Sequence, residues 1–178
     1  LAVGMVLDDS NNVYVCGRAT DNISGYGDLI VGKYNPSNGN VLWFDFYGNP
    51  IEDDYVYSFS IDDSSNIYPS GLFDFSISKT PKSIKYTKDG MQKWVTGNGY
   101  QGGRNTLGGN VLFTAEGDSI KQYNLNGTRQ WSTSIITPSK IAPDILMAAD
   151  SSLNIYIAGR HPMPSPSEQS IVIKKYNS

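Results

Sequence analysis

The sequence contains only one cysteine and one histidine, and these shortages remove several classes of site. A single cysteine cannot form a disulfide within the chain. Cys16 lies in the alternating run VYVC, which favours a packed thiol over a nucleophile, and His161 lies far away among prolines in HPMPSP. The chain also lacks the CxxC, HExxH, G-x-S-x-G and P-loop motifs. We therefore expect a protein that is not an enzyme and that holds no cofactor.

Positive charge and long apolar runs are also scarce. Lys and Arg number 14 against 17 Asp and Glu, which gives a formal net charge of -3 and a pI near 5.0. Nucleic acids and anionic membrane surfaces are bound through basic patches, so we expect neither as a partner. No apolar run approaches the roughly 18 residues that a membrane span requires, and we therefore expect no membrane insertion.

Glycine and tyrosine, in contrast, are abundant and mark an internal repeat. The phrase DDSNNVYVCG at 8–17 returns as DDSSNIYPSG at 62–71 and as DSSLNIYIAG at 150–159. A second phrase, with a tyrosine, a glycine and then a tryptophan four residues after the glycine, alternates with the first: GKYNPSNGNVLW at 32–43, IKYTKDGMQKW at 84–94, KQYNLNGTRQW at 121–131, and a final KKYNS. The repeat divides the single domain 1–178 into four units: 1–48, 55–97, 105–136 and 144–178.

Each unit is predicted to form β-strands joined by tight turns. Apolar and aromatic residues alternate in NNVYVCG and LNIYIAG, and the segments NPSNGN, TKDG and NLNG have the composition of hairpin turns. Four-stranded antiparallel units of about 40–50 residues are typical of a β-propeller. The predicted fold is therefore all-β, a β-propeller with four units, the last having only three strands. We expect an arc of a larger propeller, completed by remaining blades or by another chain; a closed four-bladed disc is the alternative.

Two features of the repeat predict structural roles. In the first phrase Asp9, Asp63 and Asp150 lead to Tyr14, Tyr68 and Tyr156, and an Asp side chain fixes a turn by accepting hydrogen bonds from amides two residues on. Calcium binding at these acidic turns is the alternative, although the glycine and glutamate of an EF-hand loop are missing. The third unit lacks this Asp and has Phe113 in the tyrosine position. The tryptophans occupy matching places in the fourth strands and predict packing between blades: Trp43, Trp94 and Trp131.

The pairing of D-S-x-N-x-Y-x-x-G with K-Y-N-x-x-G-x-x-x-W resembles the bacterial β-propeller repeats known as SBBP repeats. The matches extend from Asp9 to Tyr176, and the third unit departs from the pattern. The resemblance implies a blade architecture that is common in secreted or cell-surface proteins, and it implies no catalytic residues.

The long and variable connections are all predicted to lie on one side of the propeller, where a rigid scaffold presents loops for binding. The candidate ligand contacts on that side are Arg18, Tyr26, Phe73, Tyr100, Arg104, Arg160 and His161. The structural alternatives are that Arg18 and Arg160 are solvated and pair with a neighbouring Asp, and that the aromatic rings fill gaps between loops. The acidic triplet Glu52–Asp54 is interpreted as a solvated charge cluster.

These observations predict a non-enzymatic binding or scaffold module, extracellular or displayed at the cell surface, with a protein or a glycan as its partner. Two alternatives remain from the sequence. One is a structural component of a larger assembly, and the other is a propeller-type enzyme of glycosidase-like or quinoprotein-like kind.

Overall fold

The computed structural model describes residues 1–20, 25–49, 51–73, 80–97, 102–116, 118–135, 145–162 and 169–177. These residues form strands and turns and contain no helix. The strands are β1 (Ala2–Leu7), β2 (Val13–Thr20), β3 (Gly27–Tyr34), β4 (Val41–Tyr47), β5 (Tyr55–Ile61), β6 (Ile67–Phe73), β7 (Thr80–Tyr86), β8 (Gln92–Thr96), β9 (Gly102–Gly108), β10 (Val111–Glu116), β11 (Ser119–Asn124), β12 (Arg129–Ser134), β13 (Leu146–Ala149), β14 (Ile155–Pro162) and β15 (Gln169–Tyr176).

The strands form four separate antiparallel sheets in chain order. The first sheet contains β1 to β4, the second β5 to β8, the third β9 to β12, and the fourth β13 to β15. Within each sheet, neighbours in sequence are neighbours in space. The first strands of successive sheets contact one another, β1 with β5, β5 with β9 and β9 with β13. Since these strands line a common centre, the architecture is the predicted β-propeller, with a fourth unit of three described strands.

The core lies between neighbouring sheets. We call the side of a sheet that packs on the next sheet its leading face, and the opposite side its trailing face. On the leading face of the first sheet, Tyr14, Cys16 and Val31 are fully buried in one cluster with Ile67 and Tyr86 of the second sheet. A second cluster joins the third sheet to the fourth. Burying each such side chain stabilises the fold by about 1.5–3 kcal/mol, so each blade depends on its neighbour.

Cys16 has the packed role that the sequence predicts. Its side chain is fully buried and unpaired, and burial raises the pKa of the thiol far above its ordinary value. The thiol therefore stays protonated and behaves as a small apolar group.

An Asp carboxylate at the start of each first phrase fixes the connection between the first and second strands. We call this connection the Asp turn. Asp8 Oδ1 accepts hydrogen bonds from the amides of Ser10 at 3.0 Å and Asn12 at 2.9 Å. The Asn12 side chain donates to Asp8 Oδ2 at 2.9 Å, and the Tyr14 hydroxyl donates to the same oxygen at 3.2 Å. Residue Asn11 between them has a φ of 60°. One carboxylate thus ties the turn to the start of the second strand.

The same network recurs at Asp62 and at Asp150, which corrects one detail of the sequence prediction. The tyrosine hydroxyls of Tyr68 and Tyr156 donate to these carboxylates at 2.7 and 3.1 Å, in both cases six residues on. The turn carboxylates in the first two units are therefore Asp8 and Asp62, rather than the predicted Asp9 and Asp63, because only the first Asp of each pair lies at the six-residue spacing.

The third sheet makes its first turn differently, as its sequence indicated. Val111 pairs with Gly108 across a two-residue turn in which Gly109 has a φ of 53°. Phe113 takes the tyrosine position and is fully buried. A ring without a hydroxyl needs no acceptor, so this unit keeps the packing of the repeat without the Asp turn.

The hydrogen bonds to Asp8 predict a pH-dependent contribution to stability. Burial would raise the pKa of Asp8, but the hydrogen bonds from Asn12, Tyr14 and Ser10 outweigh it and hold the pKa below the ordinary 3.8. Since the folded pKa is depressed, the stabilisation is present above pH 3.8 and is lost as the pH falls through the folded value. Asp8→Asn should therefore lower the free energy of unfolding by about 1–3 kcal/mol at neutral pH, and by much less below the folded pKa.

Urea unfolding at neutral and strongly acidic pH measures this difference. The control is Asp9→Asn, which removes the same charge from an exposed neighbour and should change stability by less than about 0.5 kcal/mol. An equal loss in both variants, or a loss for Asp8→Asn that persists unchanged at acidic pH, would contradict the role given to Asp8.

Candidate binding face

The two sides of the propeller are built differently. One side, the turn side, carries the Asp turns and the short connections between third and fourth strands. The other, the loop side, carries the connections from second to third strands and from one sheet to the next. Described residues of the loop side come mainly from the boundary between the first and second sheets, at 25–28, 48–49 and 51–54.

Arg18 joins two loops at this boundary, which is a structural role and not the predicted ligand contact. Its guanidinium forms an ion pair with Asp53 and lies 5.3 Å from the centre of the Tyr55 ring. The Asp53 carboxylate also accepts a hydrogen bond from the Gly27 amide at 3.1 Å, and the Asp54 amide donates to the Gly27 carbonyl at 2.7 Å. The two loops are therefore bound together, and the structural alternative predicted for Arg18, a pairing with a nearby Asp, is the one observed.

The prediction that the acidic triplet is a solvated cluster is wrong for two of its members. Glu52 and Asp54 are almost completely buried, and only Asp53 is partly exposed. A Cβ on Gly48 would overlap both Asp28 Oδ1 and Asp54 Oδ2, so a glycine is needed where these carboxylates approach the backbone. The burial has a tertiary cause, because the connection from β4 to β5 folds in against the start of β3.

Arg104 is likewise used inside the propeller. It lies on the innermost strand of the third sheet and donates to the Tyr57 carbonyl of the second sheet at 2.7 Å. The neighbouring Asn105 donates from its side chain to the Tyr68 carbonyl at 2.8 Å and accepts from Ser58 at 3.0 Å. These bonds join β9 to the second sheet beside the hub, so Arg104 holds blades together.

Phe73 is a core residue, which corrects its prediction as a ligand contact. Its ring is fully buried, and its centre lies 5.5 Å from that of Tyr47 in an edge-to-face arrangement. A ring in this position fills the space between the first and second sheets and cannot stack on a ligand at the surface.

The remaining candidates divide into exposed and undescribed residues. Tyr26 is 41% exposed and directly precedes Gly27 of the junction. Arg160 and His161 belong to the backbone of β14, but their side chains lie outside the described residues, as does the whole of Tyr100. Ile51, which the sequence analysis did not select, is 64% exposed on the same side. The sequence gives no reason to select Ile51, because it is a single apolar residue between Pro50 and an acidic triplet.

Trp43 and Trp94 each bind the next sheet on the turn side, which confirms the packing role predicted for them. Trp43 Nε1 donates to the Lys88 carbonyl at 2.9 Å, and a Cβ on Gly90 would lie 2.8 Å from the indole. Trp94 repeats the arrangement one sheet later, with a hydrogen bond of 3.1 Å to the Leu125 carbonyl and an indole 3.0 Å from a Cβ on Gly127. Gly90 and Gly127 therefore each receive the tryptophan of the preceding sheet.

A buried ion pair in the third sheet was not predicted from the sequence. Lys121 Nζ donates to Glu116 Oε2 at 2.6 Å, while Thr114 donates to Glu116 Oε1 at 2.7 Å. All three side chains are buried. Such a pair is costly to separate, because removal of one member leaves an unpaired buried charge. Within the described ranges, no group of three or more His, Cys, Asp or Glu side chains is arranged to hold a metal ion.

Comparison with known proteins identifies the fold and no family. The sequence matches no protein-family model and no curated protein. It is similar in structure to BamB from Moraxella catarrhalis, with 12% sequence identity and a TM-score of 0.53. BamB is a β-propeller. The likeness is one of fold. It covers 89% of this chain and 48% of the BamB chain, so this chain corresponds to about half of that protein.

The SBBP resemblance remains a prediction, since no family match tests it. No helix in the part of the chain that the structure describes is long and apolar enough to cross a membrane.

The tryptophan latch predicts unequal costs for the same substitution at equivalent glycines. Gly39 and Gly90 both have positive φ, 70° and 84°, so alanine at either costs about 1–2 kcal/mol of backbone strain. A Cβ on Gly39 meets no atom within 4 Å, whereas one on Gly90 overlaps Trp43. Gly90→Ala should therefore lower the free energy of unfolding by about 1–3 kcal/mol more than Gly39→Ala. Equal losses in urea unfolding would mean that the indole moves aside freely.

Proposed function

We propose that this chain is a non-enzymatic binding or scaffold β-propeller that contacts protein or glycan partners through its loop side. The main observation behind the proposal is that the turn side and the loop side of the propeller have different roles. Turn-side residues are committed to the repeat: Asp carboxylates hold their own turns, and glycines receive tryptophans. The connections of the loop side differ in length and sequence from one unit to the next.

The described part of the loop side combines exposed side chains with a fixed backbone, as a contact surface requires. Tyr26 and Ile51 are exposed, and each adjoins backbone that the junction holds in place through Arg18, Asp53 and Gly27. Backbone that is already held in place loses little further conformational entropy when its side chains bind a partner. Tyrosine offers a flat apolar ring with a polar tip, which suits stacking on a sugar or anchoring a protein partner.

The partly exposed ion pair of Arg18 and Asp53 adds polar character beside Tyr26. An apolar anchor with polar groups at its rim is the common composition of a protein contact surface. No cofactor or metal is part of the proposed function, which needs only a fixed surface and a partner.

The proposal also covers where the protein is located and how the propeller is completed. The resemblance to SBBP repeats supports an extracellular or cell-surface location, and the similarity to about half of a larger propeller supports completion by remaining blades or by another chain. A structural component of a larger assembly is the second candidate, which the exposed apolar faces of the first and fourth sheets favour.

A glycan array tests the binding proposal directly. The protein should bind a restricted set of glycans, and the double variant Tyr26→Ser/Ile51→Ser should weaken that binding by about tenfold or more, a loss of about 1.4 kcal/mol. Met91→Ser is the matched control, because Met91 is as exposed as Ile51 but lies on the turn side. The control should leave binding unchanged.

Three results would count against this function. Absence of any specific glycan would remove the glycan partner and favour the structural component. Equal loss in the loop-side variant and in Met91→Ser would remove the loop side as the contact surface. A stoichiometric metal or an absorbing cofactor, found by elemental analysis and absorbance of the purified protein, would contradict a cofactor-free binding module and favour the propeller-type enzyme.

A further inference from the structure

Buried polar side chains are concentrated at one boundary of the propeller, the one between the second and third sheets. We call it the polar boundary. Six of the nine buried polar or charged side chains in the described ranges lie there: Ser70, Ser83, Asn105, Thr114, Glu116 and Lys121. The same boundary has an apolar cluster nearer the turn side, formed by Tyr68, Leu112 and Tyr123. The polar side chains therefore lie next to apolar core, where each of them has to find a partner.

The leading face of the second sheet carries two serines where other sheets carry apolar residues. Ser70 lies two residues after Tyr68 on β6 and pairs with Ser83 on β7, so both serines share the face of Tyr68. Their hydroxyl oxygens are hydrogen-bonded at 2.5 Å. The equivalent pairs in the first and third sheets are apolar and fully buried: Cys16 with Val31, and Ala115 with Ile120.

The trailing face of the third sheet is polar at the facing positions. Thr114 and Glu116 lie two and four residues after Leu112 on β10 and share its face. Thr114 pairs with Lys121 on β11 and with Asn105 on β9, which places both on the same face. Other sheets have large apolar residues at the position of Asn105 and glycine at the position of Glu116: Met5, Phe59 and Met147, and Gly17, Gly71 and Gly159.

The fourth sheet shows what happens to the lysine without its glutamate. Lys174 takes the position of Lys121, two residues before the repeat tyrosine, and Gly159 takes the position of Glu116. Lys174 is only partly buried, whereas Lys121 is buried against its carboxylate. The buried ion pair is therefore a feature of the polar boundary and not of the repeat.

The two sets of polar residues bond to each other across the boundary. Ser58 on β5 donates to Asn105 Oδ1 at 3.0 Å, and the Asn105 amide donates to the Ser58 hydroxyl at 2.8 Å. The Asn105 side chain also donates to the Tyr68 carbonyl at 2.8 Å. Gly4 takes the position of Ser58 in the first sheet. A third sheet packed on the first sheet would therefore leave Asn105 Oδ1 without this hydroxyl donor.

Stability alone does not account for the polar boundary. Replacement of a buried ion pair by well-packed apolar side chains is often neutral or stabilising, and this repeat forms apolar clusters at the boundaries on either side. A mismatch, in contrast, is costly, because polar side chains pressed against an apolar face leave buried donors and acceptors without partners. Polar residues on both sides of a boundary therefore discriminate between packing partners more strongly than apolar residues do.

We propose that the polar boundary determines which sheets pack together: the trailing face of the third sheet accepts the leading face of the second and rejects the apolar leading faces of the first and third. Repeat proteins need such discrimination, because similar units can pack on the wrong neighbour, in the same chain or in another copy. Rejection of wrong partners by unpaired polar groups is a common source of specificity. The proposed role lies within the fold and does not depend on the loop-side contacts.

The apolar boundaries cannot supply this discrimination. The leading faces of the first and third sheets are alike at their centres, with a small residue beside a β-branched one, Cys16 with Val31 and Ala115 with Ile120. Either could therefore cover the apolar trailing faces of the second and fourth sheets. The polar boundary is thus the one place in the described structure where the order of sheets is specified by polar side chains on both faces.

Exchange of whole faces in the full chain tests the recognition. The leading-face variant is Ser58→Ala/Ser70→Ala/Ser83→Val, and the trailing-face variant is Asn105→Met/Thr114→Val/Glu116→Gly/Lys121→Ile. Each variant should raise the equilibrium constant for unfolding in urea by about a hundredfold, because it leaves polar groups of the opposite face without partners. The variant that carries both sets should fold, and its increase should be at least about tenfold smaller than the product of the two separate increases.

The matched control places the same residues at a boundary that is already apolar. Ile120→Val gives the third sheet an alanine and a valine on its leading face, which is the pair that the leading-face variant gives the second sheet. The control removes one buried methylene group and should raise the unfolding constant by about tenfold or less. A much larger effect in the leading-face variant would then come from its polar neighbours.

Refolding measures the consequence for the order of sheets. The natural chain, unfolded in urea and then diluted, should return to its starting profile in gel filtration coupled to light scattering. The variant that carries both sets should form about threefold more material of higher mass, because its second and third sheets can pack on sheets of other copies. Isotope-labelled and unlabelled chains refolded together should both appear in this material, as measured by native mass spectrometry.

A smaller pair of substitutions keeps the test informative if a face variant fails to fold. Ser58→Ala and Asn105→Met each remove one partner of the bond observed across the boundary. Each should raise the unfolding constant by about tenfold. The double variant should show an increase about fivefold smaller than the product of the two.

Three results would overturn the inference. Increases that simply multiply, in the face variants or in the smaller pair, would mean that the two faces do not recognise each other. A variant with both sets that fails to fold would mean that this boundary cannot be closed by apolar residues. Refolding of that variant as faithful as that of the natural chain would mean that the polar side chains do not determine which sheets pack together.

Discussion

Every sheet in this protein has two apolar faces, and a single sheet has no means of burying either of them. The structure solves this by packing the leading face of one sheet on the trailing face of the next, so that Tyr14 and Val31 become core only when Ile67 and Tyr86 are present. Stability is therefore a property of boundaries between sheets. The buried Asn105 lies at such a boundary, where its side chain donates to the Tyr68 carbonyl and accepts from Ser58 of the neighbouring sheet.

The two repeated phrases together form a series of contacts that crosses from one sheet to the next. In the first sheet, Asp8 holds Tyr14, the Tyr14 ring lies edge-to-face against Trp43 at 6.2 Å, and Trp43 reaches the turn around Gly90 in the second sheet. Each residue positions the next. The spacing from glycine to tryptophan therefore has two uses, because the glycine receives one neighbour while the tryptophan contacts another.

Sequence reasoning was most successful where the physics is local. Alternation predicted the strands, and turn composition predicted their connections, because both depend on neighbours along the chain. The choice between Asp8 and Asp9 needed the third copy, in which the single Asp150 fixes the six-residue spacing. Glu52 and Phe73 were misread because their burial depends on the fold of distant segments. No local window shows that an acidic triplet will be covered by the start of another strand.

The same constraint explains why most of the variation in connection length lies on the loop side. On the turn side a substitution at Gly90 disturbs two sheets at once, because Gly90 belongs to a turn of the second sheet and receives Trp43 of the first. On the loop side the junction around Arg18 fixes the base of two connections, from β2 to β3 and from β4 to β5. Tyr26, beyond that base, is exposed and contributes little to the core. A scaffold that concentrates its structural demands on one side thereby leaves the other side available for recognition.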